Sequence, residues 1–202
     1  MTKTEKKPAG WKREETRKRM LEAVGRSFRQ HGFAGVGVDA IAKEAGVTSG
    51  AFYSHLGSKD AAFELAVEAG LNEVIDAVPI FQTENGDGWV QAFADYYLGA
   101  AHRDDLETGC AMTTLTPEIA RQSSSLNVLY ERKMQTIADL IAKGLVGDDT
   151  STMNRAWAML SIFTGGLNRS RAIASNSVSE HVASTVKETV VLIAGDIADL
   201  RS

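Results

Sequence analysis

Residues 32–60 read GFAGVGVDAIAKEAGVTSGAFYSHLGSKD, and the order of small, apolar and glycine residues along this stretch decides the fold. Val38, Ile41, Ala42 and Ala45 recur at helical spacing, so a helix over about residues 38–45 turns one apolar face toward the helix before it. Gly37 precedes it as a cap weaker than Ser or Thr. Gly46 supplies the left-handed residue that turns the chain, and Thr48 caps a third helix running to about His55. In that helix Phe52 and Leu56 are four apart and face inward, which leaves Thr48, Ser49, Gly50, Ala51, Tyr53, Ser54 and His55 at the front or outer face. Two short helices meet at a glycine turn, and the second carries polar, small and aromatic residues where a solvated helix would carry Glu and Lys. That is the pattern of a helix-turn-helix whose second helix enters a DNA groove.

The third helix suits that task in detail. At 1.5 Å per residue it makes a rod of roughly 12 Å, comparable to the width of the major groove. Ser49, Ser54 and Thr48 offer hydroxyls to base edges, Ala51 offers a methyl to thymine, and Gly50 lets the backbone come close. Tyr53, His55 and Lys59 suit phosphate contacts, which position a module without reading sequence. A glycine near a helix start costs about 1 kcal/mol and so calls for a reason.

Gly32-Phe33, Val38, Ile41-Ala42, Ala45-Gly46-Val47-Thr48, Gly50, Tyr53, His55 and Ser58-Lys59-Asp60 together resemble the amino-terminal domain of the TetR family of bacterial transcriptional regulators, over roughly residues 13–66. Val36-Gly37 stands where that family usually has Thr or Ser, which removes a side-chain cap and a phosphate contact. Phe52 and Leu56 invert the usual Leu then Phe, a swap that conserves core volume. The resemblance implies an all-helical homodimer of about nine helices per subunit. A three-helix DNA-binding domain would be followed by a larger ligand-binding and dimerisation domain. It also implies a repressor that binds a near-palindromic double-stranded DNA operator and releases it when a small molecule fills the larger domain.

Working outward, a first helix from Lys12 to Gln30 carries Met20, Leu21, Val24 and Phe28 at helical spacing, with Gly32 stopping it. Residues 1–11, with Pro8 and Gly10, read as a flexible basic arm. The expected organisation is therefore an arm over 1–11, a helix-turn-helix domain over 12–60 and an effector-binding and dimerisation domain over 61–202. Charge follows the same division: residues 1–60 sum to +5 and residues 61–202 to −9. A basic module on an acidic body is the electrostatic footprint of a nucleic-acid binder that docks by one end.

The rest of the chain reads as further helices. Ser58 caps a fourth, with Phe63, Ala66, Val67, Leu71, Val74 and Ile75 on its buried side and Pro79 and the Glu84–Gly88 turn ending it. Then come Trp89–Arg103, a stretch from Gly109 to Arg121 broken at Pro117, Leu126–Leu145, Thr150–Ala174 and Val178–Leu200. The last two carry long apolar stripes: Met153, Ala156, Trp157, Leu160, Phe163 and Leu167 beside Gly165-Gly166, and Val182, Val186, Val190, Ile193, Ile197 and Leu200. Paired across a two-fold axis they would make a four-helix dimer interface; the alternative is that both stripes are core within one subunit. A dimer would present two recognition helices about one DNA turn apart.

For an unidentified small-molecule effector, the candidate pocket residues are Trp89, Phe93, Tyr96, Tyr97, Cys110, Met112, Tyr130, Met134, Trp157 and Phe163. Aromatics and methionines with a few polar tips make an apolar pocket, and they equally make a core. Gly109-Cys110 falls at a helix start, where the macrodipole favours thiolate, so redox or electrophile sensing through Cys110 stands as an alternative to a small buried hydrophobe.

No catalytic motif, cofactor motif or metal motif is present. The four histidines are too dispersed for a local metal site and no second cysteine supports one. His102-Arg103-Asp104 reads as a charged helix end, without the glycine-rich loop a kinase needs. A helical enzyme or carrier using the apolar pocket is the competing reading, and it predicts no affinity for duplex DNA. No window approaches the ~18 apolar residues of a membrane span, and the first twenty residues lack the apolar core of a secretory signal. With one cysteine in the chain, the expectation is a cytoplasmic protein with no membrane partner.

Overall fold

In the computed structural model, which describes residues 11–107, 109–122 and 124–195, every regular element among those residues is helical. Residues 1–10 of the expected arm lie outside the described residues, as do Ile197 and Leu200 of the last stripe. The chain divides into two compact units, Met1–Ala66 and Val67–Ser202.

In the first unit, α1 (Trp11–Gly35) buries Met20, Ala23, Val24 and Phe28. Its regular path ends where sequence places the stop, because Gly32 has φ 70 and kinks the segment. The kink brings Phe33 back onto the core, with ring centroids 5.9 Å from Phe28 and 5.1 Å from Phe63. Helix α2 (Val38–Glu44) buries Ile41 and Ala42 and starts at Gly37 with no side-chain cap. Its exit is a Schellman turn: Val47 N donates to Ala42 O at 2.9 Å and Gly46 N to Lys43 O at 3.1 Å, with Gly46 at φ 68. Helix α3 (Ser49–Leu56) follows, its Thr48 Oγ1 accepting from Ala51 N at 3.2 Å. Ser58 Oγ accepts from Ala61 N at 3.0 Å and starts α4 (Lys59–Asn85).

Helix α4 runs through Pro79 rather than ending there. Its first residues belong to the first unit and the remainder to the second. In the second unit α5 (Trp89–Tyr97) stops before Gly99 and α6 (Ala100–Asp104) restarts after it. A Cβ at Gly99 would lie 2.7 Å from Asp95 O, so the break between the two needs a residue without a side chain. Helix α7 (Ala111–Ile119) is unbroken at Pro117, contrary to the sequence expectation. Proline carries no N–H, which frees the carbonyl of Thr113 four residues back. Asn168 Nδ2 takes up that carbonyl at 3.4 Å, so a residue of a neighbouring helix supplies what the helix itself lacks.

Helices α8 (Ser124–Lys143), α9 (Asp149–Ala172) and α10 (Asn176–Ala194) complete the unit. Asp148 caps α9 by accepting from Ser151 N at 3.0 Å. Helix α9 is the central element, touching α5, α6, α7, α8 and, most extensively, α10. Phe93, Tyr97, Ile137, Phe163 and Leu167 fill the centre. At Gly166 the two last helices approach so closely that an added Cβ would meet both methyls of Val186 at 2.7 Å. Buried Arg155 ties the far ends together, donating to Ala194 O at 2.7 Å, to Gly195 O at 2.8 Å and to Val146 O.

Candidate nucleic-acid interface and effector cleft

The third helix presents the face that its sequence demands. Phe52 and Leu56 are buried against the rest of the unit, so Thr48, Gly50, Tyr53 and Ser54 stand exposed, with Ser49, Ala51 and His55 half-buried. Tyr53 is 53% exposed although its ring rests edge-on against Phe52. Nothing inside the chain requires a glycine at position 50: an added Cβ would meet only Thr48 Oγ1, at 3.8 Å. Gly37 is likewise open, with no atom within 4 Å of an added Cβ. No close contact among the described residues offsets the cost of a glycine in the first turn of α3.

Three side chains that sequence patterning does not single out fix this face. Arg17, counted only among the basic charges, reaches from α1 to the carbonyl of His55 and satisfies the end of α3. Glu44 accepts from Arg26 Nε at 3.0 Å and from Ser27 Oγ, which pins the last residue of α2 to α1. Asp39, exposed in the first turn of α2, accepts a hydrogen bond from Ser49 Oγ. Lys59 lies with its Nζ 4.6 Å from the centre of the Phe33 ring, half-buried at the edge of the same unit. Such pairings join residues far apart in sequence, and no local period announces them.

The second unit holds a cleft of about 410 Å³, its open mouth included, lined by Gly70, Glu73, Val74, Ala77, Phe93, Tyr96, Tyr97, His102 and Cys110. It gathers four of the ten residues expected to form a pocket: Phe93, Tyr96, Tyr97 and Cys110. Phe163 is fully buried and packs on Phe93 and Tyr97 at 5.4 and 5.1 Å, and Met112 and Met134 are also core. Tyr130 pairs with the Thr116 hydroxyl at 2.9 Å. Trp89 turns its indole N–H to Gly144 O at 3.0 Å, and Trp157 stands 37% exposed on the outer side of α9. Glu73, which the sequence did not single out, and His102, read there as part of a charged helix end, also enter the lining.

The polar groups of the cleft have unequal electrostatics. Burial lowers the His102 pKa from the usual histidine value, and the nearby Arg171 cation lowers it further. Its imidazole is accordingly neutral at pH 7. Burial raises the Tyr97 phenol well above its ordinary value, with Cys110 adding to the shift, and its hydroxyl pairs with that of Thr113. Arg171 holds this end together: Nε and Nη2 donate to His102 O at 3.0 and 2.6 Å, and Nη1 to Thr114 Oγ1 at 3.1 Å. Cys110, the first non-helical residue before α7, is buried in this group.

Residues 21–66, which carry the second half of α1, both short helices and the start of α4, match the model for bacterial regulatory proteins of the tetR family. Over this stretch the chain carries a DNA-binding domain of the TetR-family type. It is 29% identical over 143 residues to the HTH-type transcriptional repressor SCO4008 of Streptomyces coelicolor, an alignment covering 67% of this chain and 69% of that protein. Solved structures share the fold. A TetR-family regulator from Cytophaga hutchinsonii superposes with TM-score 0.76 at 16% identity, covering 92% of this chain and 96% of that one. SCO4454 from S. coelicolor gives 0.75 at 22%, covering 90% and 95%. The reduced form of Escherichia coli NemR gives 0.70 at 18%, covering 86% and 97%. The protein is thus a DNA-binding transcriptional regulator of TetR type. No helix among the described residues is long and apolar enough to cross a membrane.

Proposed function

We propose that this TetR-family regulator is a cytoplasmic repressor, without catalytic activity, that leaves its operator when a small molecule occupies the cleft of the second unit. The observation that carries the reading is the open, uncompensated glycine at position 50 on an otherwise exposed polar face of α3. Thr48, Ser49, Gly50, Ala51 and Ser54 meet base edges, while Gly37, Tyr53, His55 and Lys59 lie where phosphates pass. A second copy pairs through α9 and α10, whose unshared outer faces carry Trp157 and Leu192, at 37% and 55% exposure. The apolar walls of the cleft, Phe93, Tyr96 and Val74, with a neutral His102, suit a small, mostly apolar ligand with few polar groups. Ligand binding favours the arrangement that cannot span two half-sites, and affinity for DNA falls by the same factor that DNA lowers affinity for ligand.

Selection of bound sequences from a random duplex pool, followed by titration of the recovered operator, tests the reading. Tyr53→Ala and Lys59→Ala should each weaken binding to every duplex, and Lys59→Ala should also reduce its salt dependence. Unchanged affinity in both variants would remove the docking assignment. A monomer at micromolar concentration would remove the pairing.

A second reading is favoured by the position of one atom set: the Cys110 thiol lines the cleft beside the Tyr97 phenol. An electrophile that enters could be captured covalently by this sulfur, so that modification replaces reversible binding as the signal. Cys110→Ser should then abolish release of DNA by electrophiles while leaving operator affinity intact. Release that survives the substitution eliminates this route.

A further inference from the structure

On the exposed side of the first unit, a hydrogen bond joins two side chains from different helices. Ser49, the first residue of α3, donates its hydroxyl hydrogen to the Asp39 carboxylate, which projects from the first turn of α2. Asp39 is exposed and Ser49 half-exposed, so the pair faces outward rather than into the core. A serine hydroxyl has one proton to give and two lone pairs. With that proton committed, the Ser49 oxygen can only accept. The ionised carboxylate beside it can also only accept.

We infer that Asp39 is a specificity-determining residue: by holding the Ser49 proton it turns the start of the recognition helix into an acceptor-only surface, which selects an amino base, adenine or cytosine, on the strand that Ser49 faces. The inference rests on the proposal that α3 enters the major groove. In that groove the hydrogen-bond donors are the amino groups of adenine N6 and cytosine N4. Guanine presents O6 and N7, and thymine presents O4, all of them acceptors. Facing the Asp39–Ser49 pair, guanine or thymine brings acceptor against acceptor, and the carboxylate charge adds to the mismatch. A free serine would not discriminate in this way, because its hydroxyl rotates to give or to take. Asp39 thus positions Ser49 and restricts what it reads, at the cost of placing a negative charge near the phosphates.

The test is a comparison of sequence pools selected from random duplex DNA by the full-length wild type, Asp39→Ala and Ser49→Ala, followed by titration of four duplexes that differ only at the assigned base pair. The wild type should prefer adenine or cytosine on one strand at one position of each half-site, by about tenfold over guanine or thymine, the scale of one hydrogen bond. Asp39→Ala should erase that preference at that position alone, keep the rest of the consensus, and bind unselected duplex several-fold more tightly because a negative charge is gone. Ser49→Ala should weaken the preference without erasing it, because the Asp39 carboxylate remains as an acceptor, and without the general gain. If the wild type enriches a consensus and Asp39→Ala enriches the same one, the role of Asp39 is refuted while the DNA-binding reading stands. Weaker binding of Asp39→Ala to all sequences, with the helical circular dichroism unchanged, refutes it too. If the wild type enriches nothing, the DNA-binding reading fails and takes this inference with it.

Discussion

The contact between α9 and α10 at Gly166 supports a prediction whose sign depends on the partner residue. Placing alanine at 166 puts a Cβ 2.7 Å from both methyls of Val186 and 3.1 Å from its Cβ, whereas carbon atoms pack best at about 3.5–4.0 Å. The helices must move apart by close to an ångström or Val186 must leave its rotamer, a cost of roughly 2 kcal/mol for overpacking a tight core. Alanine in place of glycine within a helix returns about 1 kcal/mol. Gly166→Ala should therefore lower stability by about 1 kcal/mol, or roughly 2–4 °C in Tm for a chain of this size. Val186→Ala removes the two methyls and leaves most of the space the new Cβ needs. In that background Gly166→Ala should stabilise by up to about 1 kcal/mol, so the double-mutant cycle has a coupling energy near 2 kcal/mol. Denaturant unfolding followed by circular dichroism, with unchanged m-values, measures all four corners. Additive effects within about 0.5 kcal/mol would refute the close approach at Gly166.

Two further outcomes separate stability from function. Gly50→Ala meets no obstacle in the chain, so it should raise thermal stability by about 0.5–1 kcal/mol while reducing operator affinity; calorimetry and fluorescence anisotropy on one preparation check both. Lowered pKa at His102 means that the unfolded chain binds a proton there before the folded one does. Stability from this residue is complete above its unfolded pKa of about 6.5 and declines as pH falls toward the lower folded value. Wild type should accordingly lose more unfolding free energy between pH 7 and pH 5 than His102→Gln, and parallel pH profiles would contradict the assignment.

The third helix was legible because its punctuation is local. Thr48, Gly46 and Ser58 each act on backbone groups within a few residues of themselves, so their meaning survives without a tertiary context. Pro79 and Pro117 are the opposite case. Whether a helix tolerates Pro117 depends on who takes the carbonyl it frees, and here that is Asn168 of another helix. Apolar stripes were legible as stripes but not as partners. Leu160, Phe163 and Leu167 lie inside the subunit while Trp157 on the same helix faces out, and periodicity does not say which edge of a wide stripe a neighbour will cover. Aromatic content likewise pointed to the cleft, yet the indole of Trp89 turns to the end of α8, and the polar members Glu73 and His102 gave no pattern at all.

Arg171 gives the cleft a mechanical connection that a lining list does not convey. Its guanidinium grips the carbonyl of His102 with two nitrogens and the hydroxyl of Thr114 with the third, so one side chain of α9 braces both α6 and α7. A displacement of the α6 backbone at His102 must either stretch this three-pronged grip or pull α9 along with it. Since α9 is also the element most widely apposed to α10, such a displacement has a short route from α6 to α10.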